Sequence, residues 1–412
     1  MNIRCLRCKG RGFCGRDFCP LVAKTNARFK VEPKLVKQDF FGSSPAPFVG
    51  RFGYPNINVG ILSPADRPDN IWEYDAPRHW SAQNYSINQV IDFRSSLINS
   101  RFNINVRQQD KLLEISQEVG MASKPVDVEV NLKKAPSFRL TQDSFMAPTG
   151  PNAPLKKARI TENPKISQKV DKVVSDIHLK ANDAMIYLYN HEFDENFLSR
   201  LISVGTLGLK PNRKLVPTRW SITAADDAIG KHLMQEIKNY SESNCLAYFG
   251  GYLGNYYLIL LFPDVWSYEL FETYAPKTSW NTSDSTQFMT DYEPYTGRKD
   301  YADNTAGGYY AARLGILEKL KQIKRQASVL ALRFITNEYW APLGVWVVRE
   351  AARKAMSSKP IEFADRQLML TYVSHLIRKK FNYNLDLLLK ESKTLHQLKT
   401  QTKLNKFVQA LS

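Results

Sequence analysis

The stretch CLAYFGGYLGNYYLILLF, residues 245–262, contains two runs of aromatic and aliphatic residues on either side of a glycine-containing turn. Runs of this kind are typical of β-strands, and a short turn that contains glycine joins two strands into a hairpin. The stretch therefore predicts two paired strands. It makes the centre of the chain a sheet-forming region.

Two further strands are predicted on the N-terminal side of this pair. Residues 57–62 form a short apolar run, and the segment from Val126 to Leu132 alternates strictly between apolar and polar residues. Residues 143–172 contain four prolines among polar residues, a composition that predicts a surface excursion or a linker.

The pattern changes after the polar segment 277–308, where we place the main domain boundary. Leu314, Leu317 and Leu320 recur at three-residue spacing within residues 309–334, as on one face of a helix. Two later stretches, PLGVWVVREAARKAM and ADRQLMLTYVSHLIRKKF, are also typical of helices.

These patterns predict an α+β chain with four parts. We expect a short four-cysteine zinc module at residues 1–22, a mixed α/β N-terminal domain at 23–276, an all-helical C-terminal domain at 277–397 and a flexible tail at 398–412.

The size and hydropathy of the chain exclude a membrane protein and a disordered one. The 412 residues are 43% hydrophobic, enough for two or three packed cores. The longest apolar run, from Tyr256 to Phe262, is far shorter than the ~18 residues that cross a bilayer, and the N-terminus lacks the apolar core of a signal peptide. We expect a soluble, cytoplasmic protein without a membrane partner.

The net charge of +17 is concentrated at the two ends of the chain. Residues 1–40 carry +7 and residues 378–412 carry +6, which leaves +4 for everything between them. Basic extremities attract polyanions, and nucleic acid is the commonest polyanion in a cell. The alternative is that the basic ends only improve solubility.

Four of the five cysteines lie within fifteen residues, at Cys5, Cys8, Cys14 and Cys19. In a reducing cytosol such thiols stay unpaired unless a metal binds them, and four thiolates suit the tetrahedral preference of zinc. An iron–sulfur cluster is the competing interpretation, because the spacing is tighter than that of a typical zinc ribbon. Cys245, in an apolar segment, is predicted to be a core residue.

Basic residues surround the four cysteines. A zinc ion with four thiolates carries a charge of −2, which the neighbouring cations more than offset. The module is thus predicted to present a cationic face to nucleic acid, formed by Arg4, Arg7, Lys9, Arg11 and Arg16.

The stretch KLVPTRWSITAADDAIGKHL contains a possible catalytic group. Asp226 and Asp227 with Arg219 have the composition of a metal or phosphate site. Thr223, three residues before Asp226, supports the simpler interpretation that these residues cap the start of a helix. We favour capping.

A second cluster, PADRPDNIWEYDAPRHW, contains Asp75, Arg78 and His79 among two tryptophans and a tyrosine. This composition suits contacts with phosphates and bases, and ordinary loop packing explains it equally well. The sequence NTAGGYYAARLG places two glycines at a helix start, where free amides could bind a phosphate, but it lacks the residues of a P-loop. No nucleophile–base arrangement is recognisable.

The tail contains QTKLNKFV, residues 401–408. Gln401, Leu404 and Phe407 fall on one side of a helical turn, which gives a small apolar surface with one polar anchor. This is the pattern of a peptide that docks on another protein.

Several separated segments together resemble the archaeal Nre DNA-repair proteins over nearly the whole chain. They are the four-cysteine start, VGRFGYPNINVGIL, KLVPTRWSITAADDAIGK, YYAARLGILEKLKQIKRQASVLALRF, YWAPLGVWVVREA and the tail. The resemblance implies a bipartite architecture, a role in the response to DNA damage and binding of the sliding clamp PCNA through the C-terminal peptide. It brings no catalytic residue set with it.

The clamp motif of the family maps onto Gln401, Leu404 and Phe407, and it departs at Val408, where such motifs usually have a second aromatic residue. We therefore expect a DNA-repair factor, associated with the nucleoid, that the clamp recruits to DNA and whose zinc module contacts nucleic acid. The alternatives are an RNA-binding zinc protein of ribosome or tRNA metabolism and a non-catalytic adaptor. A clamp-binding peptide favours the DNA interpretation.

Overall fold

The computed structural model of the chain describes residues 38–137, 150–278, 280–281 and 283–400. These residues divide into two compact units. The first unit extends to Ile229 and includes Tyr339–Val347, and the second comprises Gly230–Glu338 and the chain from Val348 onward. Each unit contains one six-stranded sheet.

The sheet of the first unit has the strand order β1-β5-β6-β4-β3-β2. Its strands are β1 (Asp39–Ser44), β2 (Ala46–Val49), β3 (Asn56–Ser63), β4 (Ile98–Asn105), β5 (Val126–Leu132) and β6 (Asn152–Ile160). Neighbouring strands are antiparallel, except that β4 and β6 run parallel.

Helices of the first unit pack against this sheet or follow it. They are α1 (Pro77–Ala82), α2 (Ile87–Ser96), α3 (Lys111–Met121), α4 (Gln168–Ser175), α5 (Ala181–Tyr189), α6 (Glu195–Ser203) and α7 (Thr218–Ile237, which ends in the second unit), with short 3-10 helices at Ile71–Asp75 and Lys210–Asn212. The alternating valines of β5 face a core that also contains Leu113 and Val119 of α3. One face of the sheet is therefore apolar because its strands alternate with a period of two.

The sheet of the second unit has the order β10-β9-β11-β8-β7-β12. Its strands are β7 (Cys245–Tyr252), β8 (Asn255–Phe262), β9 (Ser267–Tyr274), β10 (Gln287–Glu293), β11 (Ser328–Ile335) and β12 (Ile361–Phe363). β11 lies in the middle, parallel to β9 and antiparallel to β8, and all eight of its residues are buried. The predicted hairpin at residues 245–262 is confirmed as the β7–β8 pair.

The two faces of the second sheet differ in character. Its helices are α8 (Ala306–Ile323), α9 (Trp346–Ser357, which begins in the first unit), α10 (Arg366–Phe381), α11 (Asp386–Glu391) and α12 (Lys393–Thr400). Leu258, Leu330 and Phe334 form an apolar core with residues of α10 to α12. The other face carries charged residues that interact with α8, as in the ion pair between Glu293 of β10 and Arg313.

The structure confirms some predicted elements and corrects others. The strands predicted at residues 57–62 and 126–132 are present as β3 and β5. The all-helical C-terminal domain is wrong, because residues 277–397 contain β10, β11 and β12. The segment SVLALRFI was assigned to a helix because a continuous apolar run has no period that separates a buried strand from a buried helix.

The prolines of residues 143–172 also misled the prediction of an excursion or linker. Asn152–Ile160 is an internal strand of the first sheet, between β4 and β5. Proline has no N–H to donate, but the Pro154 carbonyl still accepts a hydrogen bond from the Lys133 amide. The predicted cysteine module, and the tail from residue 401 onward, lie outside the described residues. In the part of the chain that is described, no helix combines the length and hydropathy needed to cross a membrane.

Candidate nucleic-acid interface

Three of the exposed aromatic side chains of the first unit lie on the β2–β3 loop and at the start of α7. Phe52 is 66% exposed, Trp220 47% and Tyr54 43%. The rings of Tyr54 and Trp220 are in contact, with centroids 5.5 Å apart, and the Arg51 guanidinium lies 5.0 Å from the centre of the Phe52 ring. We call the set Arg51, Phe52, Tyr54, Arg219 and Trp220 the aromatic platform.

The loop between β2 and β3 carries three members of the platform. Gly53 has φ = +86°, and a Cβ there would lie 2.6 Å from the Asn56 carbonyl oxygen, so only glycine fits. The Asn56 amide donates to the Gly53 carbonyl at 2.8 Å and closes the turn. Phe52 and Tyr54 flank this turn, and both rings are exposed to solvent.

The start of α7 carries the other two members. The Thr218 hydroxyl accepts a hydrogen bond from the Val49 amide at 2.9 Å and lies 3.1 Å from the Ser203 hydroxyl. The Pro217 carbonyl accepts the first helical hydrogen bonds, from the amides of Trp220 and Ser221. These bonds attach the helix start to the end of β2, which explains why Trp220 lies beside the β2–β3 loop.

The composition of the platform suits single-stranded nucleic acid. Exposed aromatic rings stack on unpaired bases, and neighbouring arginines attract the phosphates of the same strand. Arg219 is exposed, and among the residues that the structure describes neither Arg51 nor Arg219 forms an ion pair. Large exposed aromatic groups cost free energy in water, so a cluster of three is typical of a binding surface.

Comparison with known proteins identifies the family. Residues 13–281 match the family described as archaeal Nre, N-terminal, and residues 293–407 match archaeal Nre, C-terminal. The chain belongs to the archaeal Nre family. Together the two family segments cover nearly all of the described residues.

Curated relatives agree with this assignment. The Nre chain is 40% identical to "DNA repair protein NreA" of Archaeoglobus fulgidus, over 92% of this chain and 95% of that protein. It is 38% identical to "DNA repair protein NreB" of the same organism, over 90% and 92%, and 38% identical to "DNA repair protein NreA" of Haloferax volcanii, over 79% of each. No solved structure matches the chain.

In this Nre chain the predicted group of Arg219, Asp226 and Asp227 does not form one site. Arg219 belongs to the platform, while Asp226 lies two helical turns away, about 10 Å along the axis. Asp226 is fully buried and Asp227 is partly exposed, since adjacent helical residues point about 100° apart.

The capping interpretation of the same residues is wrong. α7 begins at Thr218, five residues before Thr223, so that Thr223 and Asp226 lie in the helix interior. Pro217 followed by Thr218 is a helix-start signal that would have given the correct boundary.

The residues of the second predicted cluster interact with separate partners. Arg78 donates to the buried carboxylate of Glu195, and the Asn196 side-chain amide donates to Asp75 at 3.3 Å. His79 packs edge-on against Trp72 and lies 3.5 Å from the Tyr85 hydroxyl. The three candidates therefore share a neighbourhood, and each has a different partner.

The glycines at the start of α8 serve packing. A Cβ on Gly308 would lie 2.4 Å from a carboxylate oxygen of Glu272. Glu272 is itself 5% exposed and paired with Arg333. An acidic side chain at this helix start disfavours the phosphate site that the sequence suggested.

Four cysteines are the predicted metal ligands. Cys5, Cys8, Cys14 and Cys19 lie outside the described residues. Within residues 38–137, 150–278, 280–281 and 283–400, no group of three or more His, Cys, Asp or Glu is placed to hold a metal ion. Cys245 is a buried free thiol, as predicted, and burial raises its pKa.

Sequence reasoning missed Phe52, Tyr54 and Trp220. Both segments that carry them were noticed, one as a lead-in to a strand and the other as a helix start. The available signal was the pentapeptide RFGYP, where two aromatic residues flank a glycine in a turn and so have no strand or helix face to bury them.

Proposed function

We propose that this Nre chain is a DNA-repair factor that binds unpaired DNA through the aromatic platform. The observation that carries the proposal is the contact of exposed Tyr54 and Trp220 beside two arginines without ion-pair partners among the described residues. Relatives that are 38–40% identical over most of the chain are named DNA repair proteins. Damaged or replicating DNA contains the single-stranded stretches that such a surface would bind.

The platform is tested with Phe52→Ala and Trp220→Ala. Each substitution is expected to weaken binding of a fluorescent oligo(dT) at least about fivefold, because base–aromatic stacking contributes ~1–3 kcal/mol per base. Fluorescence anisotropy at one stated salt concentration measures the affinity. The melting temperature is expected to change little in Phe52→Ala, because Phe52 is largely exposed, and the same measurement on Trp220→Ala checks the half-exposed tryptophan.

Tyr295→Ala is the matched control for this experiment. Tyr295 is 44% exposed, and Lys238 lies 4.4 Å from its ring centre, yet it belongs to the second unit and not to the platform. Its loss is expected to leave oligo(dT) binding unchanged. Equal affinities for wild type, Phe52→Ala and Trp220→Ala would exclude the platform as a DNA surface.

RNA remains the competing ligand, because every base has a face on which aromatic residues stack. Oligo(U) and oligo(dT) of equal length distinguish the two. Tighter binding of oligo(U) would favour the RNA-binding alternative over DNA repair.

We propose further that the tail binds the sliding clamp PCNA. Leu404 and Phe407 would enter an apolar pocket while Gln401 donates and accepts hydrogen bonds, and the neighbouring lysines would speed association. The support is the spacing of these residues and the family resemblance. Val408 replaces the second aromatic residue of such motifs, and we expect a correspondingly modest affinity.

The tail is tested with two opposite substitutions in a peptide of the last twenty or so residues. Phe407→Ala is expected to weaken clamp binding roughly thirtyfold, since removal of a buried aromatic anchor commonly costs about 2 kcal/mol or more. Val408→Phe is expected to strengthen it, because it restores the usual aromatic pair.

Calorimetry with purified clamp measures both peptides, and Asn405→Ala is the control. The same Phe407→Ala change in the full chain is expected to leave the melting temperature unchanged. If it lowers that temperature instead, Phe407 packs on the body of the protein and the tail is no tether.

The four cysteines complete the proposal. We propose that Cys5, Cys8, Cys14 and Cys19 bind one zinc ion and that Arg4, Arg7, Lys9, Arg11 and Arg16 contact DNA phosphates. The cysteine spacing and the local excess of positive charge support this assignment.

A further inference from the structure

Two partly buried arginines of the first unit have no carboxylate at ion-pair distance among the described residues. Arg94 donates one N–H to the Leu343 carbonyl at 2.9 Å, and its guanidinium lies 5.3 Å from the centre of the Trp80 ring. Arg200 donates to the Pro45 carbonyl at 2.6 Å and lies 5.0 Å from the Phe197 ring. Each guanidinium therefore has one acceptor and four N–H groups left over.

This arrangement differs from that of other buried arginines in the molecule. Arg313 and Arg333 of the second unit each form an ion pair with a buried glutamate. A buried charge without a counter-charge is unfavourable, and two at one place are more so. Burial lowers the pKa of both the Arg94 and the Arg200 guanidinium, and the nearby Asp75 carboxylate opposes that effect in each.

Asp75 acts electrostatically on both arginines. It ends the 3-10 helix Ile71–Asp75, and the Asn196 amide donates to both its carbonyl and its carboxylate at 3.3 Å. Asn196 and Arg200 are four residues apart on α6, so they lie on the same side of that helix. A second carboxylate, that of Asp194 at the start of α6, also acts on Arg200, so Asp75 is the carboxylate that the two guanidinium groups share.

One polar atom of this group is buried without a partner. Arg200 Nε is shielded from solvent, and no acceptor for it exists among the residues that the structure describes. An unused buried N–H is unfavourable, and a bound anion that accepts from it would remove that cost. Guanidinium groups recognise phosphate oxygens in pairs through parallel N–H donors.

We propose that Arg94 and Arg200, beside Asp75, form a binding site for a phosphate group. The spare N–H donors of the two guanidinium groups suit the oxygens of a nucleic-acid phosphodiester or of monobasic phosphate. Trp80 and Phe197 hold the two guanidinium planes in place beneath the site. Asp75 lowers the affinity and so keeps binding reversible.

The test is calorimetric titration of the full chain with inorganic phosphate, with sodium chloride adjusted to constant ionic strength. Arg94→Met and Arg200→Met are each expected to weaken phosphate binding at least about tenfold, because a hydrogen-bonded charge pair is lost. Asp75→Asn is expected to strengthen it several-fold, since it removes the competing negative charge and keeps a side chain of the same shape.

Arg159→Met is the matched control. Arg159 is an exposed residue of β6 in the same unit, and its loss changes the net charge equally. It is expected to leave phosphate binding unchanged. In chloride alone Arg94→Met and Arg200→Met should melt no lower than wild type, because each removes an unpaired charge from a partly buried position.

Competition identifies the source of the phosphate. If the site takes a nucleic-acid phosphate, Arg94→Met weakens oligo(dT) binding and inorganic phosphate displaces the oligonucleotide. If it takes a free phosphate, Arg94→Met loses phosphate binding and retains oligo(dT) binding. Trp220→Ala should leave the affinity for inorganic phosphate unchanged. The proposal of a phosphate site therefore stands or falls separately from the proposal that the platform binds DNA. Absence of phosphate binding by wild type, or binding that survives both arginine substitutions, would overturn the proposal.

Discussion

Arg313→Met is expected to lower the free energy of unfolding by about 3–5 kcal/mol, because it leaves a buried glutamate without its counter-charge. Arg313 Nη1 lies 2.7 Å from Glu293 Oε2, and the two side chains are 1% and 0% exposed. Glu293 also accepts from the Trp266 indole at 3.2 Å, a contact that the substitution keeps. Gly230 leaves the space in which the guanidinium lies, since a Cβ there would be 3.1 Å from Arg313 Nη2.

Chemical denaturation of the full chain measures this loss, and a second substitution separates charge from packing. The double variant Arg313→Met/Glu293→Gln is expected to be more stable than Arg313→Met alone by about 1–3 kcal/mol, because no charge is then left unpaired. Arg325→Met, at an exposed position in the same unit, should change stability little. A double variant no more stable than Arg313→Met would mean that shape rather than charge determines the cost.

Replacing Cys8 with serine is expected to unfold the N-terminal module. Zinc binding supplies the folding free energy of such modules, roughly 10 kcal/mol or more. Elemental analysis of the wild-type chain should give one zinc per molecule, and the variant should give none. Loss of the module should also flatten the salt dependence of DNA binding, by about 0.9 in slope for each lost phosphate contact on duplex DNA.

Cys245→Ser is the control for metal content. It removes a thiol that is buried in the second unit, so the zinc content should remain at one per chain. Iron with inorganic sulfide in freshly purified protein would show that the module binds an iron–sulfur cluster and not zinc. A zinc content that Cys8→Ser leaves unchanged would refute the assignment.

Local patterns in the sequence were sufficient where strict alternation or a glycine-containing turn marks the element. The alternating residues of β5 and the two runs of the β7–β8 hairpin show their structure directly, because period two and a glycine turn have few alternatives. β11 was misassigned because both of its faces are buried, which removes the alternation. For the same reason the predicted helix was extended past its true end at Ile323.

Long-range pairing was not accessible from local patterns. The platform joins Tyr54 to Trp220 only because the Val49 amide reaches Thr218, 169 residues later in the chain. Asp75 likewise acts electrostatically on Arg94 and Arg200, although each looks like an ordinary helix-surface residue in the sequence. Composition identified the neighbourhood of Asp75, Arg78 and His79, and no local pattern connects the two arginines with it.

The central position of β11 has a consequence for synthesis on the ribosome. β7 and β8 can pair once residue 262 has emerged, but β8 and β9 each retain an open edge until Ser328–Ile335 arrives between them. Translation of the roughly 60 residues from Tyr274 to Ile335 takes about 3–12 s at ordinary rates. Throughout that interval two strands with open edges are available to pair with other nascent chains, so the unfinished protein depends on chaperones more than the finished one.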